Sequence, residues 1–285
     1  MRKTAGNLQD RAGKGCCGEN GRSLERRQDR PLERKQTFRY VKKADTAILF
    51  IHGILGIPEY FRPYLALVPP DWSVCQILLK GHGGKVRDLS AASMEQWKQQ
   101  VEKEYRTLSR SHDKVVIAAH SMGTLLALQQ VLEKPAAALF LVNVPFRVRI
   151  RPELFRIVWK VFWGNIRPGD SRALAAQRAY GMDRDWHILR YLGWIPRYRE
   201  LFAEIRKTRN LAPVLTTRCR VYLSEQDEMV SPESGRVWAG NPYVTVTMLK
   251  GSGHFYYSPE ACKQLREGFC QMVREVQTRA KERKA

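Results

Sequence analysis

Short apolar runs along the chain alternate with stretches in which apolar residues recur every three or four positions. The short continuous runs are typical of strands buried in a parallel sheet, and the amphipathic stretches between them predict helices. Ser93 with Gln96 three residues later indicates a helix N-terminus. Strands that alternate with helices predict an α/β fold with a mostly parallel sheet of about six strands. The six runs are 46–53, 73–79, 114–119, 137–144, 219–224 and 244–249.

The stretch between the fourth and fifth predicted strands is far longer than an ordinary connection in an α/β fold. Residues 146–210 have a helical, basic and aromatic pattern without any strand-like run. We interpret this stretch as a helical cap inserted over the carboxyl edge of the sheet. The alternative is a basic helical surface whose tryptophans form a small core of their own.

The first 36 residues differ in composition from the rest of the chain. Residues 1–36 are rich in glycine and in polar and charged side chains and have almost no aliphatic residues. Such a segment cannot bury enough apolar surface to fold, so we predict a disordered basic leader. The remaining residues, 37–285, are predicted to form one domain that includes the cap.

Positive charge is concentrated in two segments of the chain. Residues 1–43 carry 13 basic and 5 acidic side chains, and residues 146–210 carry 15 and 6, out of a net charge of +21. This charge favours attraction to polyanions, and peripheral contact with an anionic membrane surface is one such partner. No specific nucleic-acid partner is predicted, and the oligomeric state stays open.

The remaining composition bears on location and metals. No apolar run reaches the roughly 18 residues of a membrane span, and no apolar stretch follows Arg2 and Lys3 as in a secretory signal. The six cysteines show no CxxC spacing and are too few for a disulfide scaffold. Cys16 and Cys17 have no histidine nearby to complete a metal site. We therefore predict a cytoplasmic protein without a bound metal.

A single serine lies at the junction between the third predicted strand and the helix that follows it. Ser121 is flanked by Ala119 and Gly123, a spacing similar to G-x-S-x-G with alanine in the first position. In that motif, the serine is a nucleophile exposed on a tight strand-to-helix turn. The alternative is that Ser121 is an ordinary helix N-cap.

A serine hydroxyl needs a base, and the base needs a group that orients it. Asp227 follows the fifth predicted strand and His254 follows the sixth, so both lie where ligands bind in open α/β sheets. We therefore predict that Ser121, Asp227 and His254 act together. Glu225 or Glu228 could orient the histidine instead, and His254 could have a purely structural role.

Two backbone amides are candidates for binding a developing oxyanion. The segment HGILG at 52–56 follows the first predicted strand, and its glycines allow unusual backbone conformations. We predict that the amide of Ile54 and the amide of Met122, which follows the serine, form the oxyanion hole. The alternative is an ordinary glycine-containing loop.

Together these motifs resemble the α/β-hydrolase superfamily, and most closely its carboxylesterase and monoacylglycerol lipase-like branch. The likeness extends from about residue 47 to the end of the chain. It departs from the family pattern at Ala119 and at Thr124, where a second glycine is frequent. The segments that carry it are LFIHGILG (49–56), LLKGHGG (78–84), AAHSMG (118–123), QDEMVSP (226–232) and GSGHFYYSPE (251–260).

The resemblance implies an α/β-hydrolase fold with Ser121, Asp227 and His254 as the catalytic triad. It also implies hydrolysis of a small carboxylic ester through an acyl-enzyme intermediate, with no cofactor. One alternative keeps the triad but cleaves a thioester, an amide or a C–C bond. A more distant alternative is a non-catalytic binding protein on a hydrolase scaffold.

The predicted cap contains an apolar stripe that bears on the substrate. On a helix, Phe155, Val158, Trp159 and Phe162 lie on one face. We expect Trp159 and Phe162 to bind the acyl chain if this face turns toward the triad. The alternative is that the stripe only packs the cap onto the sheet.

Overall fold

A computed structural model describes residues 35–282 of the chain. The predicted leader therefore lies outside the described residues, except for Lys35 and Gln36. Cys16 and Cys17 also lie outside them.

Within residues 35–282, seven strands form one sheet. All neighbouring strands are parallel except Thr37–Arg39 and Ser73–Ile77, which are antiparallel. The α/β-hydrolase fold and the six predicted strands are confirmed, and one antiparallel edge strand is added. The strands are β1 (Thr37–Arg39), β2 (Thr46–Ile51), β3 (Ser73–Ile77), β4 (Lys114–His120), β5 (Ala138–Val142), β6 (Cys219–Ser224) and β7 (Val244–Leu249). Their order across the sheet is β1–β3–β2–β4–β5–β6–β7.

Helices connect the strands and cover both faces of the sheet. Ser93 caps the helix Met94–Ser111 as predicted: its side chain accepts a hydrogen bond from the Gln96 N–H at 3.2 Å. Short 3₁₀ segments lie at Pro58–Phe61, Ile188–Trp194, Ala212–Val214 and Pro232–Trp238. The α-helices of the described chain are α1 (Arg62–Leu65), α2 (Val86–Ser90), α3 (Met94–Ser111), α4 (Met122–Glu133), α5 (Pro152–Trp163), α6 (Ser171–Ala179), α7 (Ile195–Leu211) and α8 (Pro259–Glu282).

Alternate residues of β2 divide between two apolar layers. Leu49 and Ile51 face a layer that contains side chains of α3, α4 and α7. Ile48 and Phe50 face a second layer that contains side chains of α1 and α8. In this layer the ring of Phe269 contacts those of Phe50 and Tyr64. The sheet is thus buried on both faces, which explains why its strands appear in the sequence as continuous apolar runs.

The chain between β5 and β6 contains α5, α6, α7 and two 3₁₀ segments, one before α7 and one after it. Leu201 and Ile205 of α7 belong to the main apolar layer, so this helix packs against the body of the fold. Within the described chain, α5 buries none of its residues. No helix in residues 35–282 is long and apolar enough to cross a membrane.

The start of α4 lies against the end of β2. A Cβ atom at Gly123 would lie 2.3 Å from the backbone oxygen of Ile51 and 2.6 Å from that of His52. Only glycine fits this crossing without a backbone shift. The position of α4, and hence of Ser121 at its start, depends on this close approach.

We expect Gly123→Ala to reduce the free energy of unfolding by about 3 kcal/mol, because the added methyl group overpacks against backbone that cannot move aside. Urea unfolding measures the change. Gly169→Ala is the matched control, since a Cβ atom there meets nothing within 4 Å. Equal stability of the two variants would contradict the close approach.

Candidate active site

Ser121 joins β4 to α4 in a strained backbone conformation. Its φ is 51° and its ψ is −125°, a left-handed region that non-glycine residues occupy only when the surrounding structure holds them there. Its N–H donates to the Val142 oxygen at 3.0 Å. In the described structure its side chain makes no capping hydrogen bond to α4, so Ser121 is not a side-chain N-cap.

The backbone around Ser121 is crowded by the loop after β2. A Cβ atom at Gly53 would lie 2.9 Å from the Cβ of Ser121. The loop and the serine turn can therefore meet only because position 53 lacks a side chain. The segment that contains Ile54 is thereby brought beside the segment that contains Met122.

Asp227 orients the imidazole of His254. The Nδ1–H of His254 donates to Asp227 Oδ2 at 2.7 Å, and both side chains are buried. Asp227 Oδ1 accepts from the N–H groups of Met229 at 2.8 Å and Val230 at 2.7 Å. The carboxylate is thus held from one side by backbone and holds the imidazole with its other oxygen.

The two glutamates beside Asp227 have other partners. Glu228 Oε2 accepts from the main-chain N–H of His254 at 2.8 Å, and its Oε1 pairs with Arg172 at 2.8 Å. Glu225 Oε2 accepts from the Gly251 N–H at 3.2 Å. Of the three acidic residues considered from the sequence, Asp227 is therefore the one that contacts the imidazole.

The carbonyl oxygen of His254 accepts three hydrogen bonds. Its donors are His120 Nε2–H at 3.2 Å, Asn143 Nδ2 at 3.1 Å and the Tyr257 hydroxyl at 3.2 Å. Asn143 Oδ1 also accepts from the Ser224 N–H at 2.9 Å, which ties the ends of β5 and β6 together. Within residues 35–282, Nε2 is the one polar atom of His254 without a protein hydrogen bond.

Sequence reasoning missed these three donors to His254. Asn143 lies just after β5, at the same edge of the sheet as Asp227 and His254. This position after a strand is the sequence feature that could have identified it. His120 and Tyr257 had no comparable signal. His120 directly precedes Ser121, and its ring centroid lies 4.8 Å from that of His254. The serine and histidine segments are therefore neighbours.

Of the two predicted oxyanion amides, that of Ile54 lies in the loop after β2 and that of Met122 lies at the first residue of α4. Neither the Ile54 N–H nor the Met122 N–H donates a hydrogen bond to an acceptor within residues 35–282. Leu55 has a φ of 59°, and a turn closes when the Gly56 N–H donates to the Gly53 oxygen at 3.1 Å. This tight loop leaves the Ile54 amide available.

Trp159 and Phe162 lie on α5, outside the hydrogen-bonded network around His254. Trp159 is 55% exposed. The ring of Phe162 contacts Trp163, Trp186 and Tyr191, with centroid distances of 5.5, 5.7 and 6.3 Å. The aromatic residues of this segment thus pack on one another and leave a broad apolar surface exposed.

Three buried histidines near the site have lowered pKa values. Burial lowers the pKa of His52 to about 4, and the pKa values of His82 and His120 lie well below 6.5 for the same reason. His52 Nε2 accepts from the Leu79 N–H at 3.1 Å, while its Nδ1–H donates to the Gly53 oxygen at 2.8 Å. This neutral ring joins the segment just after β3 to the loop that carries Ile54. Among the described residues, no group of three or more His, Cys, Asp or Glu side chains could hold a metal ion.

A family model described as the alpha/beta hydrolase family matches residues 48–265. The chain belongs to the alpha/beta hydrolase family. The superfamily resemblance of the sequence is thereby confirmed, and the match extends from β2 into α8.

One curated relative of this alpha/beta hydrolase is the thermostable monoacylglycerol lipase of Bacillus sp. (strain H-257). The two are 30% identical over 90 residues, which is 31% of this chain and 36% of the relative. The match thus spans little more than a third of the relative's length.

Solved structures of lipolytic enzymes share the fold. One comes from work on LipS and LipT, two metagenome-derived lipolytic enzymes, with a TM-score of 0.64, 16% identity and coverage of 85% of this chain and 98% of that one. Another is the monoacylglycerol lipase of Paleococcus ferrophilus, with a TM-score of 0.60, 15% identity and the same coverage. At these identities the likeness shows a common fold.

The buried neutral histidines predict acid sensitivity. A histidine whose folded pKa is lowered stabilises the fold less as pH falls, because the unfolded chain takes up the proton first. For His52 the window runs from its ordinary value of 6.5 down to about 4. We expect this residue to account for about 2 kcal/mol of the stability lost between pH 6.5 and pH 5.

Urea unfolding at several pH values tests this expectation with His52→Gln. The variant should lose stability less steeply than the original chain across the window, whatever its stability at pH 7. An unchanged slope in His52→Gln would show that the ring does not resist protonation.

Proposed function

We propose that this alpha/beta hydrolase is a serine hydrolase that cleaves carboxylic esters through an acyl-enzyme intermediate. The observation that carries the proposal is the 2.7 Å hydrogen bond from His254 to Asp227 beside a serine with a φ of 51°. A helix start would not require a serine in this strained conformation. Strain of this kind is common at reacting groups.

In the proposed reaction, Ser121 Oγ attacks the ester carbonyl while His254 Nε2 takes its proton. Asp227 holds Nδ1–H and stabilises the imidazolium that forms. His254 then gives the proton to the leaving alcohol, and the acyl group stays on Ser121. Water, deprotonated by His254, releases the acid and restores the serine. In enzymes without bound substrate, the hydrogen bonds of a catalytic base are often long or poorly aligned, and they tighten when substrate binds.

The amides of Ile54 and Met122 are proposed to bind the oxyanion of both tetrahedral intermediates. Two observations support this proposal. Neither N–H has an acceptor within residues 35–282, and the loop after β2 meets the turn before α4 at Gly53 and Ser121. Such a donor contributes about 3 kcal/mol to lowering the barrier.

The class of substrate rests on the comparisons. The curated relative is a monoacylglycerol lipase, and lipolytic enzymes share the fold. We therefore propose a small acyl ester, with a thioester, an amide or a C–C bond as outcomes that a substrate panel would distinguish. The proposed location is the cytoplasm, and the mechanism calls for no cofactor.

We further propose that the segment between β5 and β6 contacts anionic lipid. Its exposed apolar side chains lie on α5, at Trp186 and in the 3₁₀ segment before α7. The segment also has exposed basic side chains such as Arg156, and the guanidinium of Arg184 lies 5.2 Å from the centre of the Trp186 ring. An apolar face bordered by basic residues is typical of helices that lie in a membrane interface. Trp159 and Phe162 would there meet the acyl chain of the substrate. The exposed apolar residues are Phe155, Val158, Trp159, Trp163, Trp186, Ile188, Leu189 and Leu192.

We expect a fluorophosphonate to label Ser121, because only a serine activated by a base attacks such a reagent at a useful rate. Mass spectrometry of the digested adduct identifies the residue. Ser121→Ala should keep the melting temperature and lose at least about a thousandfold in kcat for p-nitrophenyl esters, because the members of a triad act as a unit. An adduct on another serine would refute the assignment.

We expect Trp159→Ala to weaken binding to vesicles that contain anionic lipid and to change the ratio of kcat/KM for long against short esters several-fold. Binding should fall steeply as salt is raised, since the attraction is screened. Phe38→Ala is the control, because Phe38 is exposed to a similar degree, 52% against 55%, on β1. A uniform loss over all chain lengths, with no vesicle binding at low salt, would leave this segment a purely structural role.

A further inference from the structure

We propose that Glu228 and Arg172 are positioning residues that hold the main chain of His254, while Asp227 holds its imidazole. The inference rests on the proposed function of His254 as the catalytic base and extends it to α6. In brief, a buried carboxylate binds the main chain of the histidine with one oxygen and an arginine of α6 with the other.

Glu228 is placed to act on the backbone of the histidine. It is 4% exposed, and its Oε2 lies 2.8 Å from the His254 nitrogen. A Cβ atom at Gly253 would lie 2.6 Å from Oε1 and 2.8 Å from Oε2. The residue before the histidine must therefore be glycine for the carboxylate to reach the main chain.

Arg172 compensates the charge of this carboxylate. Its Nη1 lies 2.8 Å from Glu228 Oε1, and its side chain is 30% exposed. Its Nη2 donates to Gln226 Oε1, and its guanidinium lies 5.9 Å from the centre of the Tyr256 ring. Arg172 thus contacts two loops. One follows β6 and contains Asp227, and we call it the acid loop; the other follows β7 and contains His254.

The backbone between β5 and α5 holds the same acid loop. The Arg149 N–H donates to the Met229 oxygen at 2.9 Å, and the Arg151 N–H donates to the Glu228 oxygen at 3.0 Å. In the reverse direction, the Ser231 N–H donates to the Arg147 oxygen at 2.8 Å. Val148 and Val230 form an antiparallel bridge. The acid loop is therefore held twice by the inserted segment, by its backbone before α5 and by Arg172 on α6.

The charges around His254 make this arrangement testable. Asp227 faces the imidazole, His120 lies against it as a neutral ring, and Glu228 with Arg172 adds a compensated pair. Tyr60 and Tyr257 are uncharged, since burial raises the pKa of each well above 10. Removing one member of the pair leaves the other charge uncompensated near the imidazole.

The two single variants should therefore shift the titration of His254 in opposite directions. Glu228→Gln removes a negative charge, disfavours the imidazolium, and should move the midpoint of the acidic limb of kcat/KM downward by roughly half a pH unit. Arg172→Gln should move it upward by a similar amount. The midpoint of the double variant should lie close to that of the original enzyme. The midpoint of Arg172→Lys should also lie close to it, because lysine keeps the positive charge that Arg172→Gln removes.

The matched control is Arg190→Gln, which breaks the 2.8 Å ion pair with Asp185 in the same inserted segment. It should leave the pH profile unchanged. NMR titration of the His254 imidazole, assigned through His254→Asn, gives the same midpoint without relying on turnover. This readout separates the two proposals, because absence of ester hydrolysis contradicts the function, whereas the NMR midpoints test the positioning pair.

Unchanged midpoints in both Glu228→Gln and Arg172→Gln would overturn the proposal. So would activity losses that only follow the melting temperature, as expected of a structural ion pair. If Glu228→Gln does not fold, the midpoints of Arg172→Gln and Arg172→Lys decide, since both variants keep Glu228. A midpoint raised in Arg172→Gln but not in Arg172→Lys supports the proposal, and equal midpoints contradict it.

Discussion

The parallel hydrogen-bond ladder from β4 to β7 continues past the strand ends, and the site depends on it. The Ser121 N–H donates to the Val142 oxygen, the Asn143 N–H to the Tyr222 oxygen, and the Glu225 N–H to the Leu249 oxygen. Each bond places the first loop residue of one strand against the end of the next. Because the strands are parallel, all these loops open on one edge, where serine, acid and histidine can meet.

Polar atoms at this edge are paired so that His254 has little freedom. Its N–H, its carbonyl and its Nδ1–H are all bound, and only Nε2 is without a protein partner among the described residues. The neighbouring rings of His52 and His120 are kept neutral by burial. A low-dielectric surrounding strengthens the interaction of the imidazole with Asp227.

The segment between β5 and β6 has two different relations to the body of the fold. Leu201 and Ile205 of α7 pack into the core, whereas α5 lies on the outside with large apolar side chains exposed. Between them, Arg172 reaches back to the acid loop. The segment that leaves these apolar side chains exposed is thus joined to the loop that carries Asp227.

The amino-acid sequence by itself determined the strands, their alternation with helices and the candidate residues after them, because buried parallel strands leave continuous apolar runs and reactive groups follow their ends. It did not predict β1, since three residues with mostly exposed side chains carry no periodicity. The partners of His254 were decided only by the tertiary structure. His120 and Asn143 lie 134 and 111 residues away from it, and Arg172 lies 56 residues from Glu228. Contacts over such separations depend on how the sheet aligns its loops, and no local pattern in the chain encodes that alignment.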